Sequence, residues 1–133
     1  QIIKHYKEDY LIIHIKRQDQ IIYEDTLQAL DGFRSIAILL QMSDKRLLID
    51  SFAQHMAAAL NLKSTVCWST TDSKVFGYKM HDNIKAEPFT KEPSLEQSVY
   101  SPFQLSETIH TIPYNDLNEV FNTDKIISSL NKQ

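Results

Sequence analysis

Leu47-Leu-Ile-Asp-Ser-Phe-Ala-Gln-His-Met-Ala-Ala-Ala-Leu-Asn61, followed closely by Ser64-Thr-Val-Cys-Trp68, is the stretch on which the fold turns. Arg46 to Asp50 reads as a short buried strand, Ser51 to Asn61 as an Ala-rich helix, and Ser64 to Trp68 as a second strand. Strands joined through a helix-length crossover run parallel, and right-handed crossovers lay the helices on the faces of the sheet. Upstream, Asp31-Gly32 punctuates before a helix whose Phe33, Ile36, Ala37 and Leu40 share one face. Tyr10 to Lys16 is a β-branched run of strand length, Ile21 to Asp25 a weaker strand, and Gln1 to Glu8 the end of a helix. Downstream, His81 to Ala86 reads as one more strand, and 87–113, with Pro88, Pro93 and Pro102, as an irregular excursion. The remainder, 114–133, is a C-terminal helical tail: Leu117, Val120 and Phe121 keep helical spacing, and Thr123 is placed to cap a helix carrying Ile126, Ile127 and Leu130. The expected class is α/β, a Rossmann-like parallel sheet flanked by helices, in a single domain over 1–133.

Composition narrows the function. Apolar residues at 42% and charged residues at 23% describe a chain that buries a core. The net charge of -3, from 14 Lys and Arg against 17 Asp and Glu, argues against nucleic acid as the main partner. Cys67 is the single cysteine, so no intrachain disulfide forms; it reads as a buried, inert thiol in a reducing, cytoplasmic setting. No apolar run reaches membrane-span length. Gln1 opens the chain within a helix-like pattern, which reads as a piece of a longer polypeptide. Neither an internal repeat nor a His, Cys, Asp and Glu cluster with metal-ligand spacing is present, so no metal or cofactor is expected.

The chemistry concentrates where strands end. Asp50 and Ser51 stand at a strand exit where a helix begins with unpaired N–H groups and a positive dipole end, an arrangement that can hold phosphate. The plain structural alternative is a capping box, Ser51 accepting from the Gln54 N–H while Gln54 reaches back. His55 lies one turn further on, either aimed at a ligand or packed beside Met56 and Ala59. Ser69-Thr-Thr-Asp-Ser-Lys74 follows the next strand, and in a parallel sheet its exit shares a rim with that of Asp50, where open α/β sheets bind ligands. Taken by itself, such a hydroxyl-rich connection is an ordinary turn.

Ile49 to Tyr78 as a whole resembles the C-terminal, donor-binding domain of the heptosyltransferase-like glycosyltransferases of the GT-B fold. That family shows a strand ending in Asp-Ser/Thr-Gly, a His three positions after the Gly, an Ala-rich helix, a strand and a Thr-x-Pro…Gly loop. The resemblance implies a partial GT-B C-terminal domain that binds a nucleotide-diphosphate sugar and follows a missing N-terminal acceptor domain. It places Asp50, Ser51, His55, Thr71, Lys74 and Gly77 about the donor diphosphate. Catalysis is assigned to no residue here, because the family's catalytic base comes from the other half and this piece alone would be inactive. Phe52 stands where the family has Gly, and Asp72 near its Pro. The competing reading is a non-catalytic α/β interaction module with a degenerate nucleotide site plugged by Phe52. A receiver-like phosphoacceptor ranks behind both, since Lys16-Arg17 occupies the place of its acidic cluster.

Overall fold

The computed structural model describes residues 1–30, 32–69, 71–87 and 120–133. The expected excursion over 87–113 and the tail up to Glu119 therefore lie, apart from Glu87, outside the described residues. Contacts divide the chain into two compact units, Gln1–Ser43 and Asp44–Gln133. Both are α/β, with small parallel sheets accompanied by helices, an arrangement compatible with a Rossmann-like layout.

The first unit runs α1 (Ile2–Tyr6), β1 (Ile13–Lys16), β2 (Leu27–Leu30) and α2 (Phe33–Met42). β1 and β2 pair in parallel from Ile13 opposite Leu27 to Lys16 opposite Leu30. β1 is shorter than the apolar run suggests, because the chain is still turning at Tyr10, whose N–H bonds to the Tyr6 carbonyl at 2.9 Å. The strand expected over Ile21 to Asp25 is not formed. Ile21 and Ile22 are 72% and 68% exposed, and Asp25 takes a left-handed φ of 60°, a turn conformation that Asp tolerates and a strand excludes. β2 begins only after that turn. In α2 the buried residues are Ile36 and Leu40, one turn apart as the periodicity requires.

The second unit holds β3 (Leu47–Ile49), α3 (Phe52–Ala59), β4 (Thr65–Trp68), α4 (Ser73–Phe76), β5 (Asp82–Lys85) and α5 (Thr123–Leu130). β3, β4 and β5 form one parallel sheet in that order. The expected parallel pairing holds throughout, but in a two-stranded and a three-stranded ladder and not one continuous sheet. β4 is buried along its whole length, which is why Thr65-Val-Cys-Trp68 lacks the alternation of a half-exposed strand. Burial pushes the Cys67 thiol up to about 12, so it stays protonated and inert.

α3 ends as its sequence requires. Asn61 sits at φ 56°, with its N–H on the Ala58 carbonyl at 3.0 Å and the Leu62 N–H on the Ala57 carbonyl at 2.8 Å, a Schellman closure with Asn in the left-handed position. Replacing Asn61 by Ala should therefore lower stability by about 1 kcal/mol, whereas Gly should be neutral or better. Urea denaturation of the pair measures this, and equal midpoints for Ala and Gly would refute it.

The strand entries carry a directed hydrogen-bond relay. Gln133 Nε2 donates to Thr65 Oγ1 at 2.9 Å, Thr65 to Ser129 Oγ at 2.6 Å, and Ser129 to Asp82 Oδ2 at 2.9 Å, where Lys63 Nζ also arrives at 3.3 Å. Each hydroxyl gives one proton and accepts another, so these buried polar groups are satisfied. The relay fixes α5 at the rim where the strands begin and leaves the opposite rim to the loops. α5 itself is capped by Asn122, whose side chain accepts from the Lys125 N–H at 3.0 Å, and not by Thr123, which is already the first helical residue.

Candidate functional site

β3, β4 and β5 are parallel, so their C-terminal ends share one rim, and the polar residues singled out in the sequence follow those ends. Asp50 and Ser51 leave β3. Ser51 is extended, at φ -159° and ψ 174°, and stands as the N-cap of the eight-residue α3. Its hydroxyl makes no capping bond to the helix, and the Gln54 N–H bonds instead to the Ser51 carbonyl at 3.2 Å. The expected capping box is thus absent, and the reason is tertiary. Gln54 is fully buried, with Nε2 donating to the Phe76 carbonyl at the end of α4 at 3.3 Å, so its side chain stitches α3 to α4 and does not fold back.

Thr71 reaches the same place from β4. Its Oγ1 donates a short hydrogen bond to Asp50 Oδ2, which brings the exits of β3 and β4 together as the parallel arrangement predicts. Asp72 then caps α4, accepting from the Lys74 N–H at 2.8 Å, and receives Lys85 Nζ at 3.6 Å. The Lys74 N–H, together with the charges of Lys85 and Lys74, holds the Asp72 carboxyl below its usual range. A lowered folded-state value means that Asp72 favours the folded chain above its unfolded pKa, and that this contribution fades as pH falls through the folded value. Lys74 itself is exposed on the first turn of α4.

His55 is paired with Tyr78. Its Nδ1 lies 3.0 Å from the Tyr78 hydroxyl, with the two rings edge-to-face at 5.6 Å. Gln54 Nε2 lies 3.3 and 3.1 Å from the two imidazole nitrogens. His55 therefore faces the 77–78 loop, in contact with Tyr78 and Gln54. Behind it, His81 is buried, with Nε2 3.1 Å from the Gln54 carbonyl, so Nε2 is the donor; His81 Nδ1 and Gln54 Oε1 are buried without a partner among the described residues.

Gly77 has a packing role. At φ -83° its backbone needs no special freedom, but a Cβ there would lie 2.4 Å from the Ser73 carbonyl oxygen and 3.2 Å from Trp68 Cζ2. Trp68 Nε1 donates to Asn83 Oδ1 at 2.8 Å, and Asn83 Nδ2 donates to the Tyr78 and His81 carbonyls at 2.9 and 3.2 Å. Trp68, Gly77 and Asn83 together set the path of the loop behind the rim.

Asp50, Ser51 and Thr71 thus converge, Lys74 lies on the first turn of α4 and Gly77 follows its end, and His55 sits beside Tyr78. The contacts of Lys85 with Asp72 and of Tyr78 with His55 were not expected from the sequence. Lys85 falls inside the strand expected over 81–86 and is the last residue of the observed β5, at its exit. Among the described residues no group of three or more His, Cys, Asp or Glu is placed to hold a metal, and no helix is long and apolar enough to cross a membrane. Comparison with known proteins gives no match to this chain, whether among family models, curated proteins or solved structures.

Proposed function

We propose that the chain binds the nucleoside-diphosphate part of a sugar donor, as the C-terminal half of a GT-B glycosyltransferase of the heptosyltransferase-like kind. The observation that carries the reading is the Thr71–Asp50 hydrogen bond, which gathers two strand exits beside a helix start whose N-cap hydroxyl is not spent on the helix. The first-turn amides of α3 and the Ser51 hydroxyl would meet the phosphates, where the helix dipole favours negative charge. Asp50 is acceptor-only and repels phosphate, so its part is to fix Thr71 and to accept hydroxyls of ribose or sugar. Lys74 adds a cation from α4, and His55 with Tyr78 borders the site. The chemical contribution would be to hold the donor and stabilise charge developing on the departing diphosphate. The catalytic base and the acceptor would belong to a separate N-terminal domain.

The alternative, an interaction module whose nucleotide site is plugged by Phe52, fits less well. A ring inserted into the mouth of a helix would be buried, whereas Phe52 is 42% exposed. Calorimetric titration with ADP, UDP, GDP and CDP tests the choice. At least one should bind saturably, and Ser51→Ala should weaken it about fivefold, the worth of one hydrogen bond. Absence of saturable heat with all four would contradict the donor-site reading.

A further inference from the structure

Tyr78 stands between two histidines. Its ring meets His55 of α3 edge-to-face at 5.6 Å and His81 in the same manner at 5.8 Å. His55 is exposed, and its Nδ1 shares a hydrogen bond with the Tyr78 hydroxyl, a group able to donate or accept, so either charge state of that ring keeps a partner. His81 is 4% exposed, and its Nε2–H is spent on the Gln54 carbonyl at 3.1 Å. Its Nδ1 is buried with no partner among the described residues, and Gln54 Oε1, buried and equally unpartnered, does not serve it. No charged group among the described residues bonds to the His81 ring. Toward α3 the ring meets the neutral Gln54 carbonyl, and toward its own loop the Tyr78 phenol. Asp82, next in the chain, is turned to Ser129 Oγ and Lys63 Nζ at the strand entries. Burial keeps Cys67 of β4 protonated, Lys74 and Lys79 are exposed, and Lys125 of α5 is paired with Glu87.

We propose that His81 is an acid-sensitive latch, which releases the 77–81 loop from α3 when its ring takes up a second proton. With one proton the ring is at rest, since Nε2 donates to Gln54 and Nδ1 carries a lone pair. The imidazolium has two N–H donors. The second, on Nδ1, meets no acceptor and has no carboxylate beside it, and a buried charge in that condition is strongly unfavourable. Swinging the loop outward carries the ring to water, where both donors are hydrated. Tyr78 travels with it, because the His81 N–H bonds to the Tyr78 carbonyl at 3.1 Å, so the contact of Tyr78 with His55 is given up in the same step. The movement stops at Asn83, which Trp68 Nε1 holds and which lies within the β4–β5 ladder. The loop is therefore closed at neutral pH and open in acid, whatever the rim binds.

Amide hydrogen exchange at about pH 7.5 and about pH 5, which bracket the range where imidazole ordinarily changes charge, tests the latch. After correction for the intrinsic pH dependence of exchange, residues 77–81 should lose protection about tenfold in acid while Thr65 to Trp68 keep theirs, the pattern of a local opening. His81→Gln keeps a neutral N–H donor for the Gln54 carbonyl and cannot take the proton, so its loop should stay closed at both values. His55→Gln should open in acid as the wild type does. The histidine ring signals of the wild type in a nuclear magnetic resonance titration give a second reading that needs no variant: His81 and the amides of 77–81 should change with one midpoint. Equal acid opening in His81→Gln and the wild type would overturn the proposal, as would a loop still protected at the lower pH. So would a His81 ring that titrates without moving the loop, or loss of protection at Thr65 to Trp68 together with it.

Discussion

Trp68→Ala should destabilise the second unit by about 3–5 kcal/mol, the cost of emptying a large buried aromatic site. Trp68 is 1% exposed at the end of a strand buried throughout, so the space it leaves has no solvent-facing wall to collapse from. Its indole N–H is also the donor that satisfies Asn83 Oδ1, and Asn83 in turn holds the Tyr78 and His81 carbonyls. The loss should therefore extend beyond volume, loosening residues 77–81 and with them the contact of Tyr78 with His55. Guanidinium denaturation followed by far-ultraviolet circular dichroism measures the first effect, and amide hydrogen exchange over 77–83 the second. A loss below about 1 kcal/mol would mean that Trp68 is not the centre of this core.

Gly77→Ala is the second large effect, for the opposite reason. The added Cβ would sit 2.4 Å from the Ser73 carbonyl oxygen, 3.0 Å from Asn83 Oδ1 and 3.2 Å from Trp68 Cζ2, and the nearest of these is backbone and cannot rotate away. Overpacking of this kind costs about 1–3 kcal/mol, and here α4 must shift or lose the Gly77 N–H bond to Ser73, now 2.9 Å. Gly32→Ala is the internal control: at φ -172° its backbone suits any residue, and the nearest atom to a new Cβ is Ser35 Oγ at 3.6 Å, ordinary contact. Parallel urea melts should show a marked drop for Gly77→Ala and a change of only a few tenths for Gly32→Ala. Comparable midpoints would show that space at Gly77 is not what demands glycine.

Gly77 also illustrates how far the sequence can be read. Its place after an Asp-Ser-Lys turn was legible, but the reason for it lies in Trp68 and Asn83, nine and six positions away and joined to it only by folding. The β3–α3–β4 unit was legible because its strand, helix and strand each carry their own signature: β-branched and apolar runs at either end and an Ala-rich segment of helix length between them. Ile21-Ile-Tyr23 misled because an exposed apolar run looks locally like a buried one, and only Asp25 at positive φ shows that the chain turns there. That strands pair in two ladders was not written in any local pattern, since pairing across crossovers is decided by tertiary packing. The meeting of Asp50 with Thr71 followed from a topological rule and needed no local signal. The capping box failed because Gln54 found a partner in Phe76, one that no spacing within α3 could announce. The ion pair of Lys85 was not foreseen although the strand containing it was recognised, because its partner Asp72 lies on another loop.

The central claim is that the start of α3 and the Thr71–Asp72 turn together receive an anion. Backbone amide chemical shifts followed during titration with a nucleoside diphosphate test it most directly. Saturable shifts should concentrate on Ser51 to Gln54 and Thr71 to Lys74, and Gln1 to Ser43 should stay unchanged. Shifts confined to Gln1–Ser43, or an unperturbed α3 start at saturating ligand, would contradict the account.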